Sequence, residues 1–353
     1  MLAYRRTSFF IGVLFMTSFC GCSNAIAENA PLPEKFSNTH ITYQTSLGDM
    51  WKVLKAYWRD NRKAATPTFE IPVVPLDIDK LDAVEEDSIV KLGHSTTLIK
   101  VKGEYILIDP VFSERASPVQ WMGPKRFHAS PINVEALPEL AAVIISHDHY
   151  DHLDKGSIEI LKHKTKQFVM PLKVGNHLRD WGVENSKITE LDWWQKTILS
   201  GIEIVATPSQ HFSGRGLFDR DETLWASWVI RSTTTNVFYS GDSGYFDGFK
   251  DIGEKYGPFD LSLIETGAYN ELWSDIHMLP HQCLKAHIDV QASVMMPVHN
   301  STFDLALHNW NEPLVKITAL AEKQRVPMST PIFGEIIPIA NAAEAPNKTW
   351  WLE

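Results

Sequence analysis

The chain has 353 residues, of which 44% are hydrophobic, and it carries a formal net charge of −10 at pH 7. This length and apolar content are ample for a folded domain with its own buried core. The excess of acidic groups opposes sequence-independent binding of nucleic acid, which depends on neutralising phosphates. We therefore expect no nucleic-acid partner.

The amino terminus is typical of an export signal. Arg5 and Arg6 precede an apolar segment at residues 9–19 that is too short to be a comfortable membrane span, so residues 1–21 are predicted to be a signal peptide. The residues before Cys22 resemble a bacterial lipobox in which Cys22 is acylated; a plain signal peptide is the alternative. Because Ser23 follows the cysteine, we expect an outer-membrane lipoprotein that faces the periplasm, or else a soluble periplasmic protein.

Residues 22–87 are predicted to form an N-terminal arm, an amphipathic helix and a linker. In the helix, expected over residues 46–61, Ser46 and Asp49 can form a capping box and apolar residues recur at helical spacing. Trp51 and Trp58 share this helix with basic residues, so it could lie in a membrane interface. Packing on its own domain is the more common arrangement. Residues 66–75 are a proline-punctuated linker.

From residue 88 the pattern predicts strands in two groups separated by helices. The expected strands cover residues 89–101, 105–108, 143–145, 202–206, 228–230, 237–239, 261–264 and 294–296, and helices are expected at 174–181 and from Pro313 to Arg325. This order suits an α/β fold, a four-layer αββα sandwich. The domain is placed at residues 88–340 and a C-terminal tail at 341–353.

Candidate metal ligands follow the strand at residues 143–145. They are His147, His149, Asp151 and His152, which fall within six positions. Imidazole nitrogens and carboxylate oxygens bind divalent metals, and alternate residues of an extended segment point the same way. We therefore expect His147 and His149 to hold one ion while Asp151 and His152 turn towards a second. A polar surface loop is the alternative interpretation.

Three later strands also end at candidate ligands. The strand at 202–206 leads to His211, the strand at 237–239 leads to Asp242, and the strand at 294–296 leads to His299. A single loop with four ligands cannot close two metal sites, so further ligands must come from elsewhere. Alone, His211 or His299 would more often be a structural or surface histidine. The joint pattern favours a shared metal site.

The motif His147-x-His149-x-Asp151-His152 resembles the signature of the metallo-β-lactamase fold. Residues 92–96, 108–110, 115–118, 122–127 and 145–154 are similar to the N-acylphosphatidylethanolamine-hydrolysing phospholipase D branch, and the likeness runs from about residue 88 to 338. The resemblance implies one zinc ion on His147, His149 and His211, a second on Asp151, His152 and His299, and Asp242 as the bridge.

Two zinc ions held in this way would share a water, lower its pKa towards about 7 and present a metal-bridged hydroxide to a phosphodiester. Asp151 is therefore counted among the catalytic residues as well as the ligands. Iron or manganese would accept the same ligands, so the metal stays open. An aspartate at the bridging position is more similar to hydrolases and phosphodiesterases of the fold than to true zinc β-lactamases.

Four further residues are secondary candidates. By resemblance, His277 lies near the substrate, where its imidazolium would bind phosphate or protonate the leaving alkoxide; a plain surface histidine is the alternative. His94 resembles a family hallmark and is expected to be a hydrogen-bonded core histidine. Lys125 and Arg126 could bind a lipid head group or belong to a solvated loop.

The resemblance implies a zinc-dependent phosphodiesterase of the phospholipase D type that cleaves N-acylphosphatidylethanolamine to N-acylethanolamine and phosphatidate. One alternative is a hydrolase of the same fold that acts on another ester, lactone, β-lactam or phosphodiester. A second alternative is a non-catalytic envelope lipoprotein, against which the complete set of seven ligand candidates argues. The expected partners are a phospholipid substrate and a membrane surface, with a homo-oligomer as a further expectation.

Overall fold

The computed structural model describes residues 31–43, 46–344 and 348–352. The predicted signal peptide at residues 1–21 and the predicted acylated residue Cys22 lie outside the described residues. From Lys35 onward the chain belongs to one compact unit. Residues 35–87, predicted as arm, helix and linker, therefore belong to the same unit as the predicted domain at 88–340.

Thirteen strands form two sheets among the described residues. In chain order they are β1 (Ser88–Lys91), β2 (Thr97–Val101), β3 (Glu104–Ile108), β4 (Leu140–Ile144), β5 (Thr165–Pro171), β6 (Ile188–Leu191), β7 (Lys196–Leu199), β8 (Ile202–Thr207), β9 (Ser227–Arg231), β10 (Asn236–Tyr239), β11 (Phe259–Glu265), β12 (Ala292–Val298) and β13 (Ile337–Pro338). The first sheet has the order β13-β1-β2-β3-β4-β5-β6, and the second has the order β12-β11-β10-β9-β8-β7.

Seven α-helices accompany the two sheets in the described part of the chain. They are α1 (Leu47–Trp58), α2 (Ile78–Ala83), α3 (Lys155–Leu161), α4 (Gly175–Asp180), α5 (Gly248–Tyr256), α6 (Pro280–Asp289) and α7 (Glu312–Gln324). No helix in these described ranges has the length and hydrophobicity needed to cross a lipid bilayer.

The two sheets pack face to face on a shared apolar core. The first sheet contributes residues such as Ile106 and Ile144, and the second contributes Trp228 and Met296; all four are fully or almost fully buried. Alternate residues of a strand point to opposite faces, so each sheet has a second apolar face to cover. This need for cover on both outer faces produces the helical layers.

Helices cover both outer faces. Leu81 of α2, Ile158 of α3 and Leu178 of α4 belong to the apolar cluster on the outer face of the first sheet. The cluster on the outer face of the second sheet includes residues of α5, α6 and α7. The order helix, sheet, sheet, helix confirms the predicted four-layer αββα sandwich.

Parallel strands bring several loops to one edge of the sandwich. β3, β4, β5 and β6 pair in parallel in the first sheet, as do β10, β11 and β12 in the second. The carboxyl ends of parallel strands lie at the same edge of a sheet. The loops after β4, β10 and β12 carry predicted ligands, so the topology gathers these residues at one end of the fold.

Several predicted elements differ from the observed ones. The strand predicted at residues 89–101 is the hairpin β1–β2, because the chain turns back at Leu92, whose N–H donates to Thr96 O at 2.9 Å. The predicted linker at 66–75 is extended but not free of the domain, since Ile71 is buried and Val73 bridges to Phe333. We did not predict α2, α3, α5, α6, β5, β6, β7 or β13, of which α2, β6, β7 and β13 are too short to show an apolar period.

Helix α1 confirms the predicted amphipathic helix and its capping box. The Ser46 side chain accepts from Asp49 N–H, and the Asp49 carboxylate accepts from Ser46 N–H. Tyr57 stacks on Trp273 with 6.5 Å between ring centroids and donates to Leu305 O at 3.3 Å. The helix thus packs on its own domain along one face only, because most of its apolar side chains remain exposed.

The predicted C-terminal tail at residues 341–353 ends in two buried tryptophans. Trp350 and Trp351 lie in the apolar cluster on the outer face of the second sheet, and the Trp350 ring lies 5.5 Å from the ring of Phe333. A buried indole removes a large apolar area from water, so the tail stabilises the sandwich.

We expect Trp351→Ala to lower the free energy of unfolding by about 3–5 kcal/mol, because the substitution leaves a cavity in this cluster. Leu352→Ala is the matched control, since Leu352 is exposed in the same short helix and should change the stability by less than about 0.5 kcal/mol. Urea unfolding of both variants measures the difference. Equal urea midpoints for Trp351→Ala and Leu352→Ala would show that the tail does not contribute to the core.

Candidate metal centre

Three imidazoles converge at the end of the first sheet. His147 Nε2 lies 2.9 Å from His149 Nδ1, and His211 Nε2 lies 3.3 Å from the same atom. His147 and His149 follow β4, and His211 follows β8 of the other sheet. Asn38 holds the His211 backbone, because its carboxamide accepts from His211 N–H at 3.0 Å and donates to His211 O at 2.8 Å. The predicted set of His147, His149 and His211 is brought together.

A second group forms around Asp151. Asp151 Oδ2 lies 3.2 Å from His299 Nε2 and 3.5 Å from His152 Nε2. The fourth member is His94, whose Nε2 is also 3.2 Å from Asp151 Oδ2. His94 is buried and hydrogen-bonded, as expected, but its partner is a predicted ligand, and its ring centroid lies 3.9 Å from that of His299. It therefore lines the candidate site.

Asp242 lies between the two groups. Its Oδ2 is 3.0 Å from His299 Nε2 and 3.2 Å from His152 Nε2, and it is 3.8 Å from Nε2 of both His147 and His211. One carboxylate oxygen can therefore face ligands of both groups, as a bridging carboxylate requires.

A glycine makes this placement of Asp242 possible. Gly241 has φ +55°, and a Cβ there would lie 2.7 Å from Ala226 O. Both the left-handed backbone and the close approach of the neighbouring strand exclude a larger residue at this turn.

The donor atoms fit divalent metal ions. Ligands on one tetrahedral zinc, with bonds of about 2.0–2.1 Å, lie about 3.3 Å apart, which is close to the observed nitrogen separations around His149. Burial lowers the pKa of His147, His149 and His211, so their rings are neutral and offer lone pairs. His152 Nε2 and Asp242 Oδ1 are buried without a hydrogen-bond partner among the described residues, as expected of atoms that bind an ion.

Asp109 orients His152. Asp109 Oδ2 lies 2.7 Å from His152 Nδ1 and accepts from Tyr239 O–H at 2.6 Å, while Oδ1 accepts from Ser146 N–H at 2.7 Å. A carboxylate on Nδ1 directs the other ring nitrogen, Nε2, towards the candidate metal. The sequence analysis included Asp109 only as part of a similar segment. Its place after β3, parallel to and next to β4, was the signal that could have identified it.

Glu265 is a further site residue that the sequence analysis missed. It ends β11, between the strands that lead to Asp242 and His299, and it is fully buried. Its Oε2 lies 3.1 Å from His277 Nδ1, and its Oε1 accepts from Met278 N–H at 2.8 Å. The same strand-end argument that indicated Asp242 and His299 could have indicated Glu265.

The structure brings His277 to the candidate site and leaves Lys125 and Arg126 elsewhere. The His277 ring centroid is 5.0 Å from that of His211 and 5.4 Å from that of His299. Lys125 pairs with the exposed Glu114 at 2.7 Å, and Arg126 points at backbone carbonyls. Both line a separate cavity. The structure therefore offers no contact between these two residues and the metal ligands.

A cleft of about 550 Å³ opens onto the candidate metal centre. His149, Asp151, Asp242, His277 and His299 line its polar end. Its walls come from three segments, which contribute Thr42 and Tyr43 from the arm, Asp49, Val53 and Tyr57 from α1, and Leu272, Trp273 and Ile276 from the loop before α6. The cleft is therefore polar at the metal centre, and its walls combine apolar and aromatic side chains with the carboxylates of Asp49 and Asp275.

Comparisons with known proteins identify the family of the chain. The family model described as "Beta-lactamase superfamily domain" matches residues 104–300, which contain all seven predicted ligands. An uncharacterised protein of Mycobacterium tuberculosis is 43% identical over 276 residues, which cover 77% of this chain and 74% of that protein. The fold is similar to that of Igni18, a metallo hydrolase from Ignicoccus hospitalis, with a TM-score of 0.54 and 22% identity over 71% of this chain and 97% of that one.

The chain belongs to the β-lactamase superfamily and is a hydrolase of the metallo-β-lactamase fold. Within that superfamily it resembles the N-acylphosphatidylethanolamine-hydrolysing phospholipases D. The N-acyl-phosphatidylethanolamine-hydrolyzing phospholipase D 1 of Caenorhabditis elegans is 34% identical over 244 residues, which cover 65% of this chain and 68% of the worm protein. The predicted resemblance is confirmed.

We expect the purified protein to carry about two equivalents of transition metal and Asp242→Ala to carry at most about one, because the substitution removes the shared carboxylate. The Asp242→Ala variant should also lose measurable turnover. Elemental analysis after gel filtration gives the stoichiometry, and Asp251→Ala, an exposed site on α5, is the matched control. Wild-type metal content and activity in Asp242→Ala would rule out a bridging role.

Proposed function

We propose that this protein is a zinc-dependent phosphodiesterase of the phospholipase D type that hydrolyses N-acylphosphatidylethanolamine to N-acylethanolamine and phosphatidate. The observation that carries the proposal is the cleft, which opens onto the candidate metal centre at four of the seven predicted ligands and has apolar and aromatic side chains along its walls. Such a cleft matches a substrate with a phosphodiester group and long acyl chains. The similarity to the worm phospholipase supports the same substrate class.

The proposed binding mode follows from the charge and polarity of the cleft. Two divalent ions would outweigh the charges of Asp151 and Asp242, so the polar end would attract the anionic phosphate. The side chains of Val53, Tyr57 and Trp273 offer apolar surface to the acyl chains. When bound, the ions would supply an activated water at neutral pH and polarise the phosphoryl oxygens.

The His277–Glu265 pair supplies the proton for the leaving group in this proposal. Burial, and after it the charge of Asp242, raises the pKa of Glu265 well above its usual range, and burial lowers the pKa of His277 to about 4. A protonated Glu265 donates to His277 Nδ1, which leaves the proton of the neutral ring on Nε2. An ion pair between the two residues also carries a proton on Nε2. The ion pair can donate from Nε2 to the alkoxide oxygen as the bond to phosphorus breaks, and the neutral pair can do so if the Glu265 proton moves to Nδ1 at the same time.

We also propose that the protein is exported and acts at a membrane, with phospholipid as its partner. The predicted signal peptide and Cys22 support an outer-membrane lipoprotein that faces the periplasm. The lipid substrate itself requires contact with a membrane, because diacyl phospholipids are rarely free in water.

Hydrolysis in ¹⁸O-labelled water tests which bond is broken. Attack at phosphorus should place the label in phosphatidate and leave N-acylethanolamine unlabelled, because the metal centre faces the phosphate and not an amide buried among acyl chains. Mass spectrometry of both products reads the result. Label in the N-acylethanolamine would place the attack at carbon, and cleavage of a lactone or β-lactam without phosphatidate would favour another hydrolase of this fold.

We expect His277→Ala to lower kcat by roughly 10²-fold or more while metal content stays at the wild-type level, because the substitution removes a proton donor and no proposed metal ligand. His281→Ala, an exposed histidine on the neighbouring helix α6, is the matched control. Steady-state kinetics and elemental analysis are measured on the same samples. A loss of metal in His277→Ala would instead make His277 a ligand, and an unchanged kcat would leave it without a catalytic role.

A further inference from the structure

Helix α1 exposes a continuous apolar stripe. Met50, Leu54 and Trp58 are spaced four residues apart, so they lie along one side of the helix, and Trp51 lies next to them. Trp51 is 72% exposed, Leu54 is 57% exposed and Trp58 is 84% exposed. The two indoles therefore remain largely in contact with water, although both lie on one short helix. This exposure indicates a surface with an external partner.

The inner face of the same helix forms a wall of the catalytic cleft. Val53 and Tyr57 line the cleft together with Asp151 and His277. Tyr57 is fixed there by its stack on Trp273. The exposed stripe and the cleft wall are therefore two faces of one helix, and whatever binds the stripe lies at the mouth of the cleft.

Basic side chains flank the stripe. Lys55 and Arg59 follow it around the helix, both are exposed, and neither pairs with a carboxylate among residues 31–43, 46–344 and 348–352. Lys52 also lies on this side, where it pairs with Asp49 at 2.8 Å. The neighbouring carboxylates Asp49 and Asp60 pair with Lys52 and Arg62, so Lys55 and Arg59 remain as a local pair of cations in a chain with a net charge of −10. The charge of this pair complements an anionic surface.

We propose that α1 is a docking helix that inserts its apolar stripe into the interfacial region of a membrane containing anionic phospholipid. Indole rings favour the head-group level of a bilayer, where the ring is partly buried and its N–H remains hydrated. Lys55 and Arg59 then lie among anionic head groups, each contributing attraction that salt screens. Docking in this position places the cleft mouth against the bilayer, so that a lipid reaches the metal centre without crossing open water. The choice of a lipid partner rests on the proposed function.

The direct test is binding to vesicles without turnover. The purified full chain keeps its metal and carries Cys22→Ala in every sample, so that no acyl anchor contributes, and the vesicles contain no N-acylphosphatidylethanolamine to be hydrolysed. Co-sedimentation with vesicles of phosphatidylethanolamine and phosphatidylglycerol should fall about tenfold for Trp51→Ala/Trp58→Ala. It should remain at the wild-type level for Ile198→Ala, which removes an exposed apolar side chain from the edge strand β7.

A charge-reversal variant tests the anionic partner separately. Lys55→Glu/Arg59→Glu should reduce binding to vesicles with phosphatidylglycerol by at least about tenfold and should change binding to phosphatidylcholine vesicles much less. Because these side chains are exposed on one helix, circular dichroism should show unchanged folding. Equal loss on both vesicle types would contradict an electrostatic contribution and overturn the anionic part of the proposal.

Activity measurements separate this proposal from the proposed function. Trp51→Ala/Trp58→Ala should hydrolyse a short-chain, water-soluble N-acylphosphatidylethanolamine at the wild-type kcat and the vesicle-bound lipid at about a tenth of the wild-type rate. Loss of vesicle binding in the variant with no hydrolysis by any sample would uphold docking and refute the proposed function. Wild-type vesicle binding by the variant would overturn docking.

Two further outcomes overturn docking. The first is that Trp121→Ala, on the loop after β3, reduces vesicle binding while the α1 variants bind like the wild type. The docking surface would then lie on that loop. The other is dissociation of a dimer by Trp51→Ala/Trp58→Ala in sedimentation velocity, with no vesicle binding by the wild type. The stripe would then contact a second copy of the chain.

Discussion

The candidate metal centre brings seven ligand atoms, nitrogens and oxygens, close together. There are too few protons among them to give each atom a hydrogen-bond partner. Buried lone pairs without partners destabilise a fold by about 1–3 kcal/mol each, and Asp242 Oδ1 and His152 Nε2 have no hydrogen-bond partner among the described residues. Divalent ions at this position would satisfy the donors and neutralise the two carboxylates together. We therefore expect metal binding and folding of this end of the sandwich to be coupled.

The αββα sandwich is suited to this constraint because two sheets end at one edge. No single loop can surround two ions, but parallel strands deliver side chains from separate parts of the chain to the same end. Backbone strain accumulates there: His299 has φ 60°, and its carbonyl lies where a Cβ on Gly267 would have to be. Rigid strands beneath the turns maintain these geometries, and Asp109 and Asn38 fix the ligands from behind. Strained turns on a rigid support are typical of functional sites.

The parts of this arrangement that the sequence predicts are those with local signals. The spacing of His147 to His152 is local, and the ligands at His211, Asp242 and His299 each follow an apolar run, so strand-end reasoning reaches them. Glu265 also ends an apolar strand and was within reach of the same reasoning, whereas His94 has no such signal and only the tertiary fold places it at the site. Short helices such as α3 and α6 were missed because their apolar residues are too few to show a period, and tertiary packing stabilises them.

Helix α1 shows that one amphipathic sequence pattern can support two compatible interpretations, of which the structure shows packing on the domain. Its amphipathic pattern predicted either packing on the domain or contact with a membrane interface, and the two were treated as alternatives. In the structure one face packs against Trp273 and lines the cleft, while the opposite side leaves Trp51 and Trp58 in solvent. A helix of twelve residues has room for both faces. A soluble substrate would need no exposed tryptophans at the cleft mouth, and in the proposed docking their position would link the metal centre to a lipid surface through a single element.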